Sequence, residues 1–367
     1  MKNNQLLALC LAASFAATSV CLADVSIDKL LERADLAEGP VAVRELPRYR
    51  VPRRVLIADI GISVDGIAEA FPEIEFVMVS NLADAMPHAA SVDAIVGFCD
   101  ERLVARAPKL VWVQTYRAGA ERCLTVSDVA NGNVLMTNMQ KMSSPVIAEH
   151  AIAMMMSLSR NLPQFAREME QGAWLRNSAL TAAMRPVAGK TLLVAGLGGI
   201  GTEVARLGAA LDMRIIGTRN SSREGPDFVD YVGLSHELSD LVAQADVIVN
   251  ALPLTESTIG VFDSDLFQSS KKGAIFINVG RGGTVDTAAL LSALQSGHLA
   301  GAGLDVTDPE PLPKKHALWQ MSNVIITPHV ASAGGERERH RVLLFENIRR
   351  YVAGERLLNV VDPQRGY

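Results

Sequence analysis

Apolar positions along the chain fall into two alternating patterns. From residue 54, short apolar runs at Arg54–Asp59, Glu75–Val79, Asp93–Gly97, Leu110–Gln114 and Val134–Thr137 predict strands, and helix-like segments such as Val64–Phe71 and Glu101–Ala107 lie between them. Strands separated by helices predict a parallel sheet covered on both faces, because a parallel pair needs a crossover connection. The segment Ser144–Arg160 is apolar on most faces and predicts a helix buried between layers, in which the run Met154-Met155-Met156 reads as packing. A second helix leads to Trp174. The alternation then restarts, with strands expected at Thr191–Ala195, Met213–Gly217, Asp246–Asn250, Ala274–Val279 and Val324–Thr327, and an amphipathic helix over Glu336–Val352. The pattern predicts two strand–helix α/β domains joined by long helices, the second inserted in the first, with the C-terminal helix crossing back.

The N-terminus reads differently. Lys2 is followed by an uncharged apolar run from Leu6 to Val20 and then Cys21-Leu22-Ala23, which predicts a secretory signal peptide over residues 1–23, removed after Ala23, and an exported, periplasmic protein. A charged lead-in follows, with a short helix expected over Ile27–Leu36 and an extended chain around Pro40, Pro47 and Pro52. A net charge of -5 lacks the basic footprint of a nucleic-acid binder, and no segment after residue 23 is long and apolar enough to span a bilayer. Cleavage leaves Cys99 and Cys123 of the four cysteines; they read either as two buried free thiols or as a pair, and no metal-ligand spacing occurs.

Within the second alternation, Gly196, Gly198 and Gly201 form Gly-x-Gly-x-x-Gly directly after an apolar strand and at the opening of a helix. That context marks a dinucleotide-binding turn. Gly196 serves the tight turn, Gly198 the approach of the backbone to a pyrophosphate, and Gly201 close helix–strand packing, with Gly199 and Ile200 completing the loop. The N–H groups at the helix start then face the phosphates. An acidic residue about 20 residues on would hold a ribose 2′-hydroxyl. Here Arg219 stands at that strand end, followed by Asn220, Ser221 and Arg223, and no carboxylate appears before Glu224. A guanidinium there suits a 2′-phosphate, so NADP(H) is expected over NAD(H).

Three further segments end or follow strands: Ile277–Gly283 with Arg281, Gly303–Pro311 with Asp305 and Glu310, and Ile326–His329. In open parallel sheets ligands gather at the carboxyl ends of strands. With the glycine turn, these segments, Val146–His150 and Leu252–Thr255 occur in the order found in the D-isomer-specific 2-hydroxyacid dehydrogenase family, which residues 54–360 resemble. The resemblance implies a flavodoxin-like substrate domain (24–148, completed by 333–367) with an inserted Rossmann dinucleotide-binding domain (149–332), assembled as a homodimer. It implies Arg281, Glu310 and His329 as the catalytic residues and Asp305 against the nicotinamide carboxamide. Leu252, Pro253, Thr258, Val279 and His329 are expected along the rest of the cofactor path. The chemistry agrees: a 2-keto acid has a carboxylate to hold and a carbonyl to polarise, both within reach of a guanidinium, and a histidine can donate the proton that the forming alkoxide needs.

The substrate loops depart from the family. Its usual Gly-Ala-Gly turn is replaced by Thr115-Tyr116-Arg117-Ala118-Gly119-Ala120-Glu121-Arg122, where Tyr116 and Arg117 are expected to crowd the approach. Arg117 reads either as a second positive contact or as a solvated charge. Phe98, Arg117, Ala118, Gly119 and Arg281 are the expected substrate contacts, and a disulfide between Cys99 and Cys123 would tie the two loops together. His150 reads as structural. The expected function is NADPH-linked reduction of a small anionic 2-keto acid, with glyoxylate and hydroxypyruvate as candidates; the alternative is a dinucleotide-sensing or corepressor-like protein without turnover. Export and NADPH use conflict, because a chain threaded out unfolded leaves its cofactor behind.

Overall fold

The computed structural model describes residues 36–59, 64–174, 176, 178–220, 222–334 and 337–366. The expected signal peptide, all but the last residue of the helix expected over Ile27–Leu36, and Ser221 lie outside the described residues.

The first sheet contains β1 (Arg54–Ala58), β2 (Glu75–Val79), β3 (Ala94–Val96), β4 (Trp112–Gln114) and β5 (Leu135–Thr137), in the order β2-β1-β3-β4-β5 with every pairing parallel. This is the flavodoxin-like order. Successive side chains go to opposite faces. Val55 and Ile57 pack with Trp112 against Leu343, Leu344, Ile348 and Tyr351 of the helix Arg337–Ala353. Leu56, Ile95 and Val113 pack on the other face with Leu103, Val104 and Val129. Burial on both faces is why these strands read as continuous apolar runs. The C-terminal helix thereby returns to the first lobe.

The second sheet is parallel, in the order β12-β11-β10-β9-β6-β7-β8: β6 (Thr191–Ala195), β7 (Arg214–Arg219), β8 (Tyr231–Leu234), β9 (Val247–Asn250), β10 (Ala274–Asn278), β11 (Leu299–Leu304) and β12 (Val324–Ile326). The order reverses between β6 and β9, which opens a crevice at their carboxyl ends. The helix Ser144–Ser159 links the lobes, with Pro at its first turn, and packs Ala148, Ala151, Met154 and Met155 against Val194, Ile277 and Val279.

β8 and β11 were not expected. β8 is a short edge strand starting at the 40% exposed Tyr231. β11, Leu-Ala-Gly-Ala-Gly-Leu, lacks β-branched residues, and its interior stays small because its neighbours come too close. A Cβ on Gly303 would stand 2.8 Å from the Met154 sulfur, and one on Gly301 2.8 Å from the Asn323 carbonyl oxygen. The reading of Cys99 and Cys123 as free thiols is also corrected. β3 and β4 are adjacent and parallel, so the segments that leave them lie side by side, and the two cysteines are disulfide-bonded with Cα atoms 5.3 Å apart.

Candidate active site

The glycine turn follows β6. Gly196 has φ +91°, and the Thr218 side chain and carbonyl accept from the N–H groups of Gly196 (3.0 Å) and Leu197 (2.8 Å), fixing the turn to the end of β7. A Cβ on Gly201 would collide with the Gly196 carbonyl oxygen, so glycine is what lets the helix Gly199–Ala210 meet the strand. Gly198, by contrast, has open space where a Cβ would go, and it begins the helix without a side-chain cap. Uncapped N–H groups beside open space are what a pyrophosphate needs. Gly199 rests on Lys141 and Ser144, and Ile200 packs into the core beneath the linking helix. Across the crevice Leu252 packs on Gly196, Pro253 is exposed, and Thr258 donates to the Pro253 carbonyl (2.6 Å) while accepting from the Thr255 N–H (2.8 Å). Val279 is buried in the core, so only its backbone is offered to a ligand.

At the end of β7, Arg219 has a buried Nε with no hydrogen-bond partner. The exposed Asn220 accepts from Ser235 (3.4 Å). Arg223 departs from expectation: Glu237 takes its guanidinium at 2.6 Å, and it also donates to the Tyr231 hydroxyl (3.0 Å). Tyr231, the Leu234 N–H and Arg223 together hold the Glu237 carboxyl down at about 2. Of the two arginines, Arg219 alone carries an unspent buried donor. The open glycine cradle and this orphaned donor fit a phosphorylated dinucleotide.

The ends of β10, β11 and β12 carry the reactive groups. His329 Nδ1 donates to Glu310 Oε1 at 2.8 Å, and both side chains are about half exposed. His329 is left-handed at φ +55°, a conformation uncommon outside glycine. Its N–H donates to the Asp305 carbonyl at 2.8 Å. The Asp305 carboxylate is buried and accepts from Thr327 Oγ1 (2.6 Å) and from the N–H groups of Val330 (2.9 Å) and Ala331 (3.0 Å). Asp305 therefore clamps the turn that carries His329. The sequence pointed to a nicotinamide contact and not to this clamp. His150 joins the same network: the Thr327 proton goes to Asp305, so His150 Nε2 donates to Thr327 Oγ1 (3.0 Å). His150 thus sits in the network that holds the His329 turn.

Arg281 leaves the end of β10, where Gly282 lets the turn press against the Thr307 carbonyl. Its Nη1 donates to the Gly280 carbonyl (2.9 Å) and its Nε to Glu121 Oε1 (2.9 Å). Glu121 belongs to the substrate lobe, so the pair spans the cleft. Sequence reasoning passed over it, although it lies in the loop singled out for Gly119.

In that loop a Cβ on Gly119 would collide with Arg281 Nη2, which places Gly119 directly against the guanidinium. Asn138 donates to the Ala118 carbonyl (2.7 Å), and Met139 N–H to that of Arg117 (3.0 Å). Tyr116 does not crowd the approach: its ring lies on Gly97 and its hydroxyl donates to the Ala58 carbonyl (3.2 Å). Burial and the nearby Asp59 push its titration upward. Arg117 is exposed and Phe98 half-buried against the first lobe's core.

Residues 152–331 match the family profile described as D-isomer specific 2-hydroxyacid dehydrogenase, NAD binding domain. The chain is 32% identical over 278 residues to a glyoxylate reductase of Korarchaeum cryptofilum, covering 75% of this chain and 83% of that one. It is 30% identical over 309 residues to a D-3-phosphoglycerate dehydrogenase of Archaeoglobus fulgidus, covering 82% of this chain but spanning only 54% of that protein's length. Among solved structures it is similar to the NADPH-dependent glyoxylate/hydroxypyruvate reductase of Sinorhizobium meliloti in complex with NADP and sulfate, with a TM-score of 0.75 and 28% identity over 86% of this chain and 100% of that one.

Proposed function

The chain belongs to the D-isomer specific 2-hydroxyacid dehydrogenase family, and from that premise we propose that it reduces a small 2-keto acid with NADPH. Glyoxylate and hydroxypyruvate, named in its relatives, are the first substrates to test. The observation that carries the reading is the His329–Glu310 pair on the sheet edge shared by Arg281 and the glycine turn.

The glycine turn and the N-terminus of helix Gly199–Ala210 hold the pyrophosphate, and Arg219 meets the 2′-phosphate. The nicotinamide, when bound, supplies the hydride. Arg281 holds the keto acid's carboxylate and polarises its carbonyl through the Nη atoms. His329, its Nδ1–H committed to Glu310, donates the Nε2 proton to the carbonyl oxygen as negative charge develops there. The Glu310 carboxylate holds Nδ1–H and so fixes the ring orientation that aims Nε2 at the substrate. The NADPH preference is supported by the unpartnered Arg219 Nε and by the lack of a carboxylate at the end of β7. Assembly as a homodimer through the dinucleotide lobe is the family's arrangement carried over, and light scattering on the purified protein tests it. Export is supported by the pattern of residues 1–23 and by the Cys99–Cys123 bond, which suits an oxidising compartment. A cytosolic protein beginning at Met1 would refute it.

The central test is NADPH consumption with a panel of 2-keto acids. Turnover is expected for the wild type, with a loss of about 10²–10⁴-fold in His329→Ala, the usual worth of a general acid. Cofactor binding without turnover of any keto acid would favour a sensor.

A further inference from the structure

We propose that Glu121 is a positioning residue for Arg281, anchoring the Nε edge of the guanidinium from the opposite lobe so that only its Nη edge is presented to the substrate. This rests on the reading of Arg281 as the group that meets the keto acid.

Three observations carry it. The first is the division of the Arg281 donors. Nε is spent on Glu121 Oε1 (2.9 Å) and one Nη1 N–H on the Gly280 carbonyl (2.9 Å). The remaining N–H groups lie on the two Nη atoms, the pair whose spacing matches a carboxylate or the oxygens of a 2-keto acid. Without Glu121, Nε would be a third donor on the neighbouring edge of the planar guanidinium, and only the Gly280 carbonyl would still hold the group.

The second is the rigidity of the anchor. Ala120 and Cys123 are buried on either side of Glu121, Cys123 N–H donates to the Ala120 carbonyl (2.9 Å), and Cys123 is bonded to Cys99. Gly119 is packed so closely that a Cβ there would overlap both Arg281 Nη2 and the Glu121 carboxylate. Backbone, carboxylate and guanidinium therefore fit together as a unit.

The third is the choice of partner. Arg117 and Arg122 lie on the same loop, yet Glu121 pairs with an arginine 160 residues away on the other lobe. A half-exposed ion pair of this kind contributes little to stability, so what the contact fixes is geometry. It ties the alignment of Arg281 to a loop of the opposite lobe.

The test uses the full-length protein with Glu121→Ala and Glu121→Gln. Steady-state parameters for the keto acid and for NADPH, the unfolding temperature, and the affinity of the NADPH complex for oxamate, an unreactive 2-keto acid isostere, are measured for each. Glu121→Ala is expected to lower kcat/KM for the keto acid about 10²-fold, the scale on which an ångström of misplacement acts, and to weaken oxamate at least tenfold. The NADPH KM and the unfolding temperature should stay near wild type. Glu121→Gln retains an acceptor oxygen for Nε and should recover most of the loss. The proposal is overturned if Glu121→Ala keeps wild-type keto-acid kinetics, if its losses extend equally to NADPH and to stability, or if Glu121→Gln is no better than Glu121→Ala. Should the wild type turn over no keto acid, the reductase reading fails by itself; the positioning role then stands if oxamate binding still depends on Glu121, and falls if it does not or if oxamate does not bind.

Discussion

The two lobes hold their functional groups by different means. In the dinucleotide lobe, position follows from backbone. Strands of up to six residues end on one edge, and glycines at 201 and 282 let neighbouring segments approach to distances that no side chain would permit. In the substrate lobe, β3, β4 and β5 are three residues each, and the loops that follow are held by side chains and a covalent bond: Cys99 to Cys123, Asn138 to Ala118, Tyr116 to Ala58, Glu121 to Arg281. A site made from backbone tolerates little change but is simple to encode. A site made from side-chain contacts can be rebuilt one residue at a time, which suits the lobe that selects the substrate.

Substitutions can break this contrast. The largest effect is expected from Gly201→Val, which drives a side chain into the Gly196 carbonyl. Overpacking of this kind costs about 3 kcal/mol or more; chemical denaturation should register it, and NADPH binding should be lost. Opening the disulfide, by reductant or by Cys99→Ser with Cys123→Ser, comes next. For a sequence separation of 24 the chain-entropy model gives about 3 kcal/mol. The keto-acid KM should rise while NADPH affinity holds; equal damage to both would show that the lobes are not independent. Arg219→Ala follows: losing a charge-assisted hydrogen bond of about 1.5–3 kcal/mol should weaken NADPH roughly 10–100-fold and leave NADH little changed, as fluorescence titration would show.

The same contrast decides what the sequence disclosed. β6 reads from its residues because Thr191–Ala195 is buried on both faces, and the glycine turn reads because its spacing is the structure. Glu310 and His329 were legible from the family's order of motifs, Glu310 in the loop after β11 and His329 just past β12. β11 was not, since its Gly and Ala residues answer to the close approach of Met154, a contact from a distant helix that no local propensity reports. Asp305 as a clamp was hidden because two of its three partners, the N–H groups of residues 330 and 331, are backbone and leave no mark in the residue pattern. Glu121 was hidden because loop carboxylates are common, and only the folded chain brings this one to Arg281.

Side-chain contacts also occur in the dinucleotide lobe, and one such cluster gives the smallest expected effect. Beside the β7 end, Arg223, Tyr231 and Glu237 form an exposed side-chain cluster instead of a backbone cradle. Hydrogen bonds from Tyr231, the Leu234 N–H and Arg223 favour the charged carboxylate and take Glu237 from its ordinary 4.5 to about 2. A carboxyl depressed in the folded state stabilises that state above its unfolded value, and the contribution fades as pH falls from about 4.5 toward 2. The unfolding temperatures of wild type and Glu237→Gln should therefore differ slightly at neutral pH and converge across that window, and salt should shrink the neutral-pH gap because the pair is solvated. A gap that persists unchanged at the acid end would mean that Glu237 acts through packing and not through its charge.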